Sequence, residues 1–527
     1  MTIIMDLQDY RAQIDETDDR LLALFKERMN ISLQIAQYKK EHGLPVLDST
    51  RERDKLADMG DKAGDDLRSY THMLFNLLFE LSRAHQEKVL NAESEPSNII
   101  SGFGLLGEKL SHSFSPLIHG FLGDYKYSLY ETAPDDLDSF MTSKLFDGIN
   151  VTIPYKQSVI PYCADLSEEA RLTGSVNTIV KGIDGKLHGH NTDYYGFQVM
   201  LEHGGIDPNG KKALVLGDGG AARTVRAVLD GLGAQEIVTI SRRGENHYGN
   251  IERHHDAAII VNTTPVGMYP GNGASPLSLS GFGQLTGVAD LIYNPLRTKL
   301  LLDAEKLGVP CVNGLIMLVA QAEMASRLFM ADPASTINIP STDSKFRKSS
   351  SHPGEHRTIL DTIHDTILRK IQNVALIGMP GCGKSTVGRM LARMTEQPFV
   401  HIDELIEAAA GKPIPEIFAD DGEDAFRQLE TRILVGESSK SGVVIATGGG
   451  VVTRLENLDL LRQNSIIVYL NRELSELITD GRPLSEREGV YSLAKQRLPL
   501  YEAWSDYAVE VAPTPEQTAA RILEVLG

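Results

Sequence analysis

Residues Gly378 to Ser385, GMPGCGKS, have the spacing G-x-x-x-x-G-K-[ST] and follow the apolar run NVALI. Glycines so spaced let backbone N–H groups turn inward on a phosphate, and the helix that follows favours its negative charge. Gly378, Gly381 and Gly383 would shape that loop for ATP. Lys384 would reach the β- and γ-phosphates, Ser385 would meet Mg2+, and Thr386 lies beside it. A second glycine turn, GDGGAAR at 217–223, also follows an apolar run and opens a helical pattern. There Gly217, Gly219, Gly220 and Ala221 would approach a dinucleotide pyrophosphate. Sites that prefer NAD put a carboxylate near the end of the next strand. This chain has Arg242 and Arg243 there, which suits the 2′-phosphate of NADP.

These residues need scaffolds. A chain of 527 residues suggests about three domains. Residues 6–90 are poor in Gly and Pro and carry apolar residues at helical spacing, so they read as one long helix, a break at Gly43–Pro45, and two shorter helices. Residues 99–330 alternate β-branched runs with helical patterns, and so do residues 371–527; both read as α/β with parallel strands. NAESEPSN (91–98) and the Ser/Pro/charge-rich stretch 333–357 read as linkers, the second followed by a helix near 358–370. The boundaries expected are 1–92 (all-helical), 98–332 (α/β in two parts), 333–369 (linker) and 370–527 (α/β with the phosphate loop). Within the second block, a substrate part spans about 98–205 plus C-terminal helices, and a nucleotide part about 206–310. The length of the later linker speaks for independent domains.

Composition narrows the partners. A net charge of −19 argues against nucleic acid and anionic membranes, so anionic substrates need local cation clusters. Three cysteines without CxxC spacing fit a reducing compartment. With no signal peptide visible and no apolar run long enough to span a bilayer, a cytoplasmic enzyme is expected. Cys382, inside the phosphate loop near a helix start, is expected to be a reactive thiol whose alkylation inhibits.

The motifs also carry resemblances. HIDELIE, GEDAFRQLE, ATGGGVV, GRPLS and QRLPLYEAW, with the phosphate loop, resemble the shikimate kinase family. That resemblance implies that Asp403, Arg427, Gly449, Gly450 and Arg497 hold shikimate and that Arg482 lies on a lid over the phosphates. The family usually has an Asp two residues before Asp403; here that position is His401. SHSFSP, GINVTIPYK, GSVNTIV, HNTDYYG, VNTTPVGM, DLIYNP and NGLIMLVAQAE resemble, in order, the shikimate dehydrogenase family. By that resemblance Lys156 and Asp193 are the catalytic pair reducing 3-dehydroshikimate. Ser113, Ser115, Thr152, Asn177, Gln321 and Tyr293 are its contacts. A lysine touching a carboxylate can stabilise a developing alkoxide and deliver its proton.

RAQIDETDDRLLALFKERMNISLQIAQYKK, VLDSTRERD and LSRAHQE resemble the all-helical chorismate mutase family. The positions implied are Arg11, Arg28, Lys39, Asp48, Arg51, Glu52, Ser82 and Gln86. Arg28 and Lys39 fall within ~20° of one helix face, whereas Arg11 lies ~100° away. The family resolves this with an interlocked homodimer. Such a site needs no nucleophile; it holds one compact conformer of chorismate and stabilises charge on the breaking ether. The expected whole is a fused chorismate mutase, NADP-dependent shikimate dehydrogenase and shikimate kinase. Two alternatives stand beside it: a helical block that only regulates or dimerises, and a dehydrogenase acting on quinate.

Overall fold

The computed structural model describes residues 7–41, twelve residues between 51 and 82, residues 102–331 apart from 111, 112 and 124, and residues 359–526 apart from 478–488. The chain divides into two units, Met1–Ile99 and Ile100–Gly527.

In the first unit one helix runs over Leu7–Glu41 for 35 residues. The break expected at Gly43–Pro45 lies outside the described residues, and so do Asp48, Glu52 and Gln86. The described residues from Arg51 to Ser82 are helical except Gly64, whose φ of +76° suits glycine.

The described residues of the second unit form three sheets. The first has six strands: β1 (Phe103–Gly107), β2 (Tyr127–Glu131), β3 (Gly148–Val151), β4 (Asp165–Leu166), β5 (Thr178–Lys181) and β6 (Leu187–His190), in the order β2-β1-β3-β5-β6-β4. It is mixed rather than all-parallel: β5 runs antiparallel to both β3 and β6. The cause is local. Gly182 to Lys186 form a tight turn, with Gly185 at φ +72°, so β5 and β6 close as a hairpin instead of crossing over.

The second sheet comprises β7 (Lys212–Leu216), β8 (Glu236–Ile240), β9 (Ile259–Asn262), β10 (Gly287–Asp290) and β11 (Cys311–Asn313), in the order β11-β10-β9-β7-β8. The third comprises β12 (Asn373–Ile377), β13 (Phe399–His401), β14 (Val444–Ala446), β15 (Ser465–Asn471) and β16 (Tyr507–Glu510), in the order β13-β14-β12-β15-β16. All pairings in these two sheets are parallel, as the alternating pattern predicts. Buried central strands such as β12, with Ala375, Leu376 and Ile377 fully covered, need apolar residues on both faces.

Of the stretch read as a linker, residues 333–358 lie outside the described residues, as does residue 332 before it, and Ile359–Ile371 form a helix. Ile363, Ile367 and Ile371 recur every fourth residue and pack with Ile118, Leu315, Val319 and Ala322. Among the described residues no helix is long and apolar enough to cross a membrane.

Candidate active sites

The first site is a cavity of about 720 Å3 beside the first two sheets. Ser113 and Ser115 reach it from the start of the Ser115–Leu122 helix, and Thr152 and Lys156 from the turn after β3. Asn177 enters just before β5, Tyr293 after β10, and Gln321 from the Leu315–Met330 helix. Asp193 stands in the first turn of the Thr192–His203 helix, where the helix dipole favours a carboxylate. Asn191 caps that helix and is itself held by Thr173 and the Ser175 carbonyl. Lys156 Nζ lies 2.6 Å from Asp193 Oδ2, and both side chains remain partly accessible from the cavity. All eight positions expected around the reacting ketone therefore line one cavity.

Lys109, Asn150 and Thr224 line it too, and the sequence reading missed them. Asn150 was findable as the polar residue between Ile149 and Val151 in the strand of the GINVTIPYK motif. It is buried, accepts from the Tyr127 hydroxyl at 2.7 Å and donates to Thr178 Oγ1 at 3.0 Å.

Ala221, from the glycine turn, lines the same cavity. Gly217 has φ +109°, and a Cβ there would sit 2.8 Å from Thr263 Oγ1, so the turn requires glycine. The Gly220–Gly231 helix begins at Gly219 with no side-chain cap, leaving its first N–H groups for a ligand. Arg242 and Arg243 are exposed just after β8. The residues present fit a phosphorylated dinucleotide.

The second site lies at the ends of β12 and β14. Gly378, Gly381 and Gly383 all have positive φ, and the Lys384–Thr395 helix starts immediately after. Buried Lys384 donates to the carbonyls of Gly378 and Met379 at 2.9 and 3.1 Å, poised within the loop. Ser385 Oγ lies 2.6 Å from His401 Nε2, and Thr386 is exposed beside it. The loop geometry fits a nucleotide triphosphate, and the Ser385 hydroxyl is the oxygen donor it offers to Mg2+. Cys382 is fully buried under the loop, so the reactive thiol expected there is corrected: reagents have no access to the sulfur.

Next to this loop, Gly449 leaves no room for a Cβ, which would lie 2.6 Å from Pro380 Cγ. A Cβ on Gly450 would collide with the Arg427 guanidinium. Buried Arg427 pairs with Glu430 at 2.7 Å, and buried Arg497 donates to the Gly449 carbonyl at 3.3 Å. The Nε atoms of both arginines are buried without a hydrogen-bond partner among the described residues, which leaves donors for an incoming anion. Asp403 stands in the first turn of the Ile402–Ala410 helix, its Oδ1 3.1 Å from where a Cβ on Gly448 would be. Glu430, three residues after Arg427 on one helix face, was missed; burial raises its carboxyl pKa against the pull of Arg427. Arg482 lies outside the described residues.

In the helical unit, Arg28 donates to the Leu78 carbonyl at 2.9 Å and to the Ser82 hydroxyl, with its guanidinium 5.8 Å from the Phe79 ring centre. Burial lowers its pKa. Arg28 and Ser82 are thus together. Lys39 is half-buried on the same helix and Arg51 is exposed, while Arg11 has a helical backbone and a side chain outside the described residues.

Three family models match the chain: Chorismate mutase type II over residues 10–87, Shikimate dehydrogenase substrate binding domain over 105–179, and Shikimate kinase over 380–527. The shikimate dehydrogenase (NADP(+)) of Clostridium perfringens strain SM101 is 39% identical over 248 residues, covering 43% of this chain and 91% of that protein. Its counterpart in Methanopyrus kandleri is 38% identical over 263 residues, covering 44% and 90%. A solved chorismate mutase/shikimate 5-dehydrogenase fusion protein from Clostridium acetobutylicum is 34% identical, covers 50% of this chain and 96% of that one, and has a TM-score of 0.43.

Proposed function

We propose, from the premise that this chain belongs to the shikimate dehydrogenase family, that its 720 Å3 cavity reduces 3-dehydroshikimate and that its phosphate-loop site then phosphorylates the product. The chain is a multifunctional enzyme of aromatic biosynthesis with chorismate mutase, NADP-dependent shikimate dehydrogenase and shikimate kinase domains. Its cofactors are NADP, ATP and Mg2+.

NADPH, when bound, supplies a hydride to the ketone carbon. Lys156, held by Asp193, donates a hydrogen bond to the carbonyl oxygen and delivers a proton as charge develops there. Ser113, Ser115, Thr152, Asn177, Tyr293 and Gln321 orient the ring through its hydroxyls and carboxylate. Gly217, Gly219, Gly220 and Ala221 receive the pyrophosphate, and Arg242 and Arg243 the 2′-phosphate.

ATP with Mg2+ supplies the phosphoryl group. Arg427 and Arg497 take the shikimate carboxylate, Gly449 and Gly450 keep their space open, and Asp403 orients the 3-hydroxyl for attack. Lys384, with Gly378, Gly381, Gly383 and Thr386, holds the phosphates, Ser385 contacts the metal, and Arg482 serves as the lid cation. In the helical domain Arg28, Lys39, Ser82 and the remaining expected positions grip chorismate. Leu21, Leu24 and Ile31, within ~80° of one another around the long helix, are 48–62% exposed, which supports a homodimer closing over that face. The expected location is cytoplasmic.

The convergence of Lys156, Asp193 and the six substrate contacts on one cavity carries this reading. The test supplies purified protein with 3-dehydroshikimate, NADPH, ATP and Mg2+. NADPH oxidation should yield shikimate 3-phosphate, and shikimate alone when ATP is omitted. No NADPH oxidation would reject it.

A further inference from the structure

The loop after β10, Leu291 to Leu296, forms one wall of the dehydrogenase cavity, with Leu291 and Tyr293 lining it. The cavity's own side pins one end of this loop: Asn313 Nδ2 donates to the Leu296 carbonyl at 2.9 Å. The other backbone group of Leu296 is held by the kinase half. Its N–H donates to Asn464 Oδ1 at 3.0 Å. The next N–H, of Arg297, donates to the Gln463 carbonyl at 2.9 Å.

Asn464 is buried in the turn that leads into β15. Its Nδ2 donates to the Lys440 carbonyl at 3.1 Å, and its own carbonyl accepts from the N–H of Asn373, the first residue of β12. Asn464 is therefore fixed by the kinase sheet while its one free acceptor reaches across.

The apolar contacts follow the same path. Leu296 packs with Ile363, Ile367 and Leu315, and Tyr293 and Phe114 pack against this cluster with ring centres 6.2 Å apart. Phe114 stands between Ser113 and Ser115, both cavity residues. The Ile359–Ile371 helix that carries two of those isoleucines is joined to β12 through Gln372 alone.

We propose that Asn464, a kinase-half residue, is a positioning residue for the dehydrogenase reaction. It clamps Leu296 and so sets where Tyr293 stands against the substrate. The kinase half is then a structural wall of the preceding enzyme's cleft and not a tethered neighbour. This rests on the reading of the cavity as the 3-dehydroshikimate site.

The test compares Asn464→Ala, Asn464→Asp and Gln463→Ala in the full chain. Asn464→Ala removes the acceptor. It should raise the KM for 3-dehydroshikimate about five- to tenfold, the effect of losing one buried hydrogen bond. The KM for NADPH and the kinase KM for shikimate should stay within about twofold, since Asn464 sits at the end of β15 opposite the phosphate loop. Asn464→Asp keeps the acceptor for Leu296 but loses the Nδ2 donor to the Lys440 carbonyl, so its KM should fall between those of wild type and the Ala variant. Gln463→Ala removes the Asn272 hydrogen bond across the same boundary but leaves the Leu296 clamp, so its KM for 3-dehydroshikimate should stay within about twofold of wild type. If Asn464→Ala does not fold, Asn464→Ser, too short to reach Leu296, takes its place under the same expectations. Wild-type KM in the Ala or Ser variant overturns the proposal. A wild-type chain that oxidises no NADPH with 3-dehydroshikimate instead rejects the underlying reading.

Discussion

Ser385 Oγ and His401 Nε2 lie 2.6 Å apart, so the hydroxyl proposed to contact Mg2+ faces an imidazole and not an oxygen ligand. Mg2+ prefers oxygen donors in octahedral array, whereas imidazole suits later transition metals. His401→Asp, which supplies an oxygen, should lower the Mg2+ concentration for half-maximal kinase rate severalfold. A Mg2+ titration of both proteins at fixed ATP checks this; an unchanged or higher midpoint speaks against it.

Lys156 has one strong partner, Asp193, and faces the cavity. Lys156→Met removes the proton donor with little change in bulk. The kcat for 3-dehydroshikimate reduction should fall by about 10²- to 10⁴-fold, the range for a lost general acid. Kinase turnover on added shikimate, measured on the same preparation, should not change.

Gly450 makes room for Arg427. Gly450→Ala forces the guanidinium aside, and displacing a positioning group by about 1 Å costs of order 10² in rate. The kinase kcat/KM for shikimate should drop by that order while NADPH oxidation persists. Steady-state assays of the two reactions separate the outcomes, and near-normal kinase activity would show that Arg427 does not hold the substrate.

His119 is buried in the Ser115–Leu122 helix, with Nδ1 on the Tyr125 hydroxyl at 2.7 Å and its ring stacked on Tyr127. Burial pulls its pKa down to about 3 from the ordinary 6.5. Between those values the unfolded chain binds more protons than the folded one. Stability is then fully present above about 6.5 and declines as the pH falls toward about 3, by up to a few kcal/mol. His119→Phe should flatten that slope. Denaturant midpoints at pH 7 and pH 5 for both proteins test it; equal slopes would exclude His119 as the cause.

Much of this was legible in residue order. Glycine spacing around Lys384 and around Gly217 announces phosphate loops because positive φ and close approach demand glycine there. Alternating β-branched runs announce α/β layers, and the Gly/Pro-poor start announces one long helix, found at Leu7–Glu41. Lys156 and Asp193 are named as partners by the resemblance of GINVTIPYK and HNTDYYG to the dehydrogenase family, and the structure brings their side chains into contact.

Other features depend on which distant segments meet, and periodicity carries no record of that. The antiparallel hairpin of β5 and β6 arose from one tight turn inside a pattern that otherwise reads as parallel. Glu430 gains its meaning only when burial leaves Arg427 as its counter-charge. Cys382 looks exposed in a loop motif, yet the loop folds over it. Leu296 and Asn464 are 168 residues apart, and nothing in either neighbourhood foretells their hydrogen bond. Short-range pattern encodes elements and motifs because its forces act within a turn or two of chain. Long-range packing chooses among many ways of bringing those elements together, and that choice decided which residue buries, which one pairs, and which enzyme's wall leans on the other.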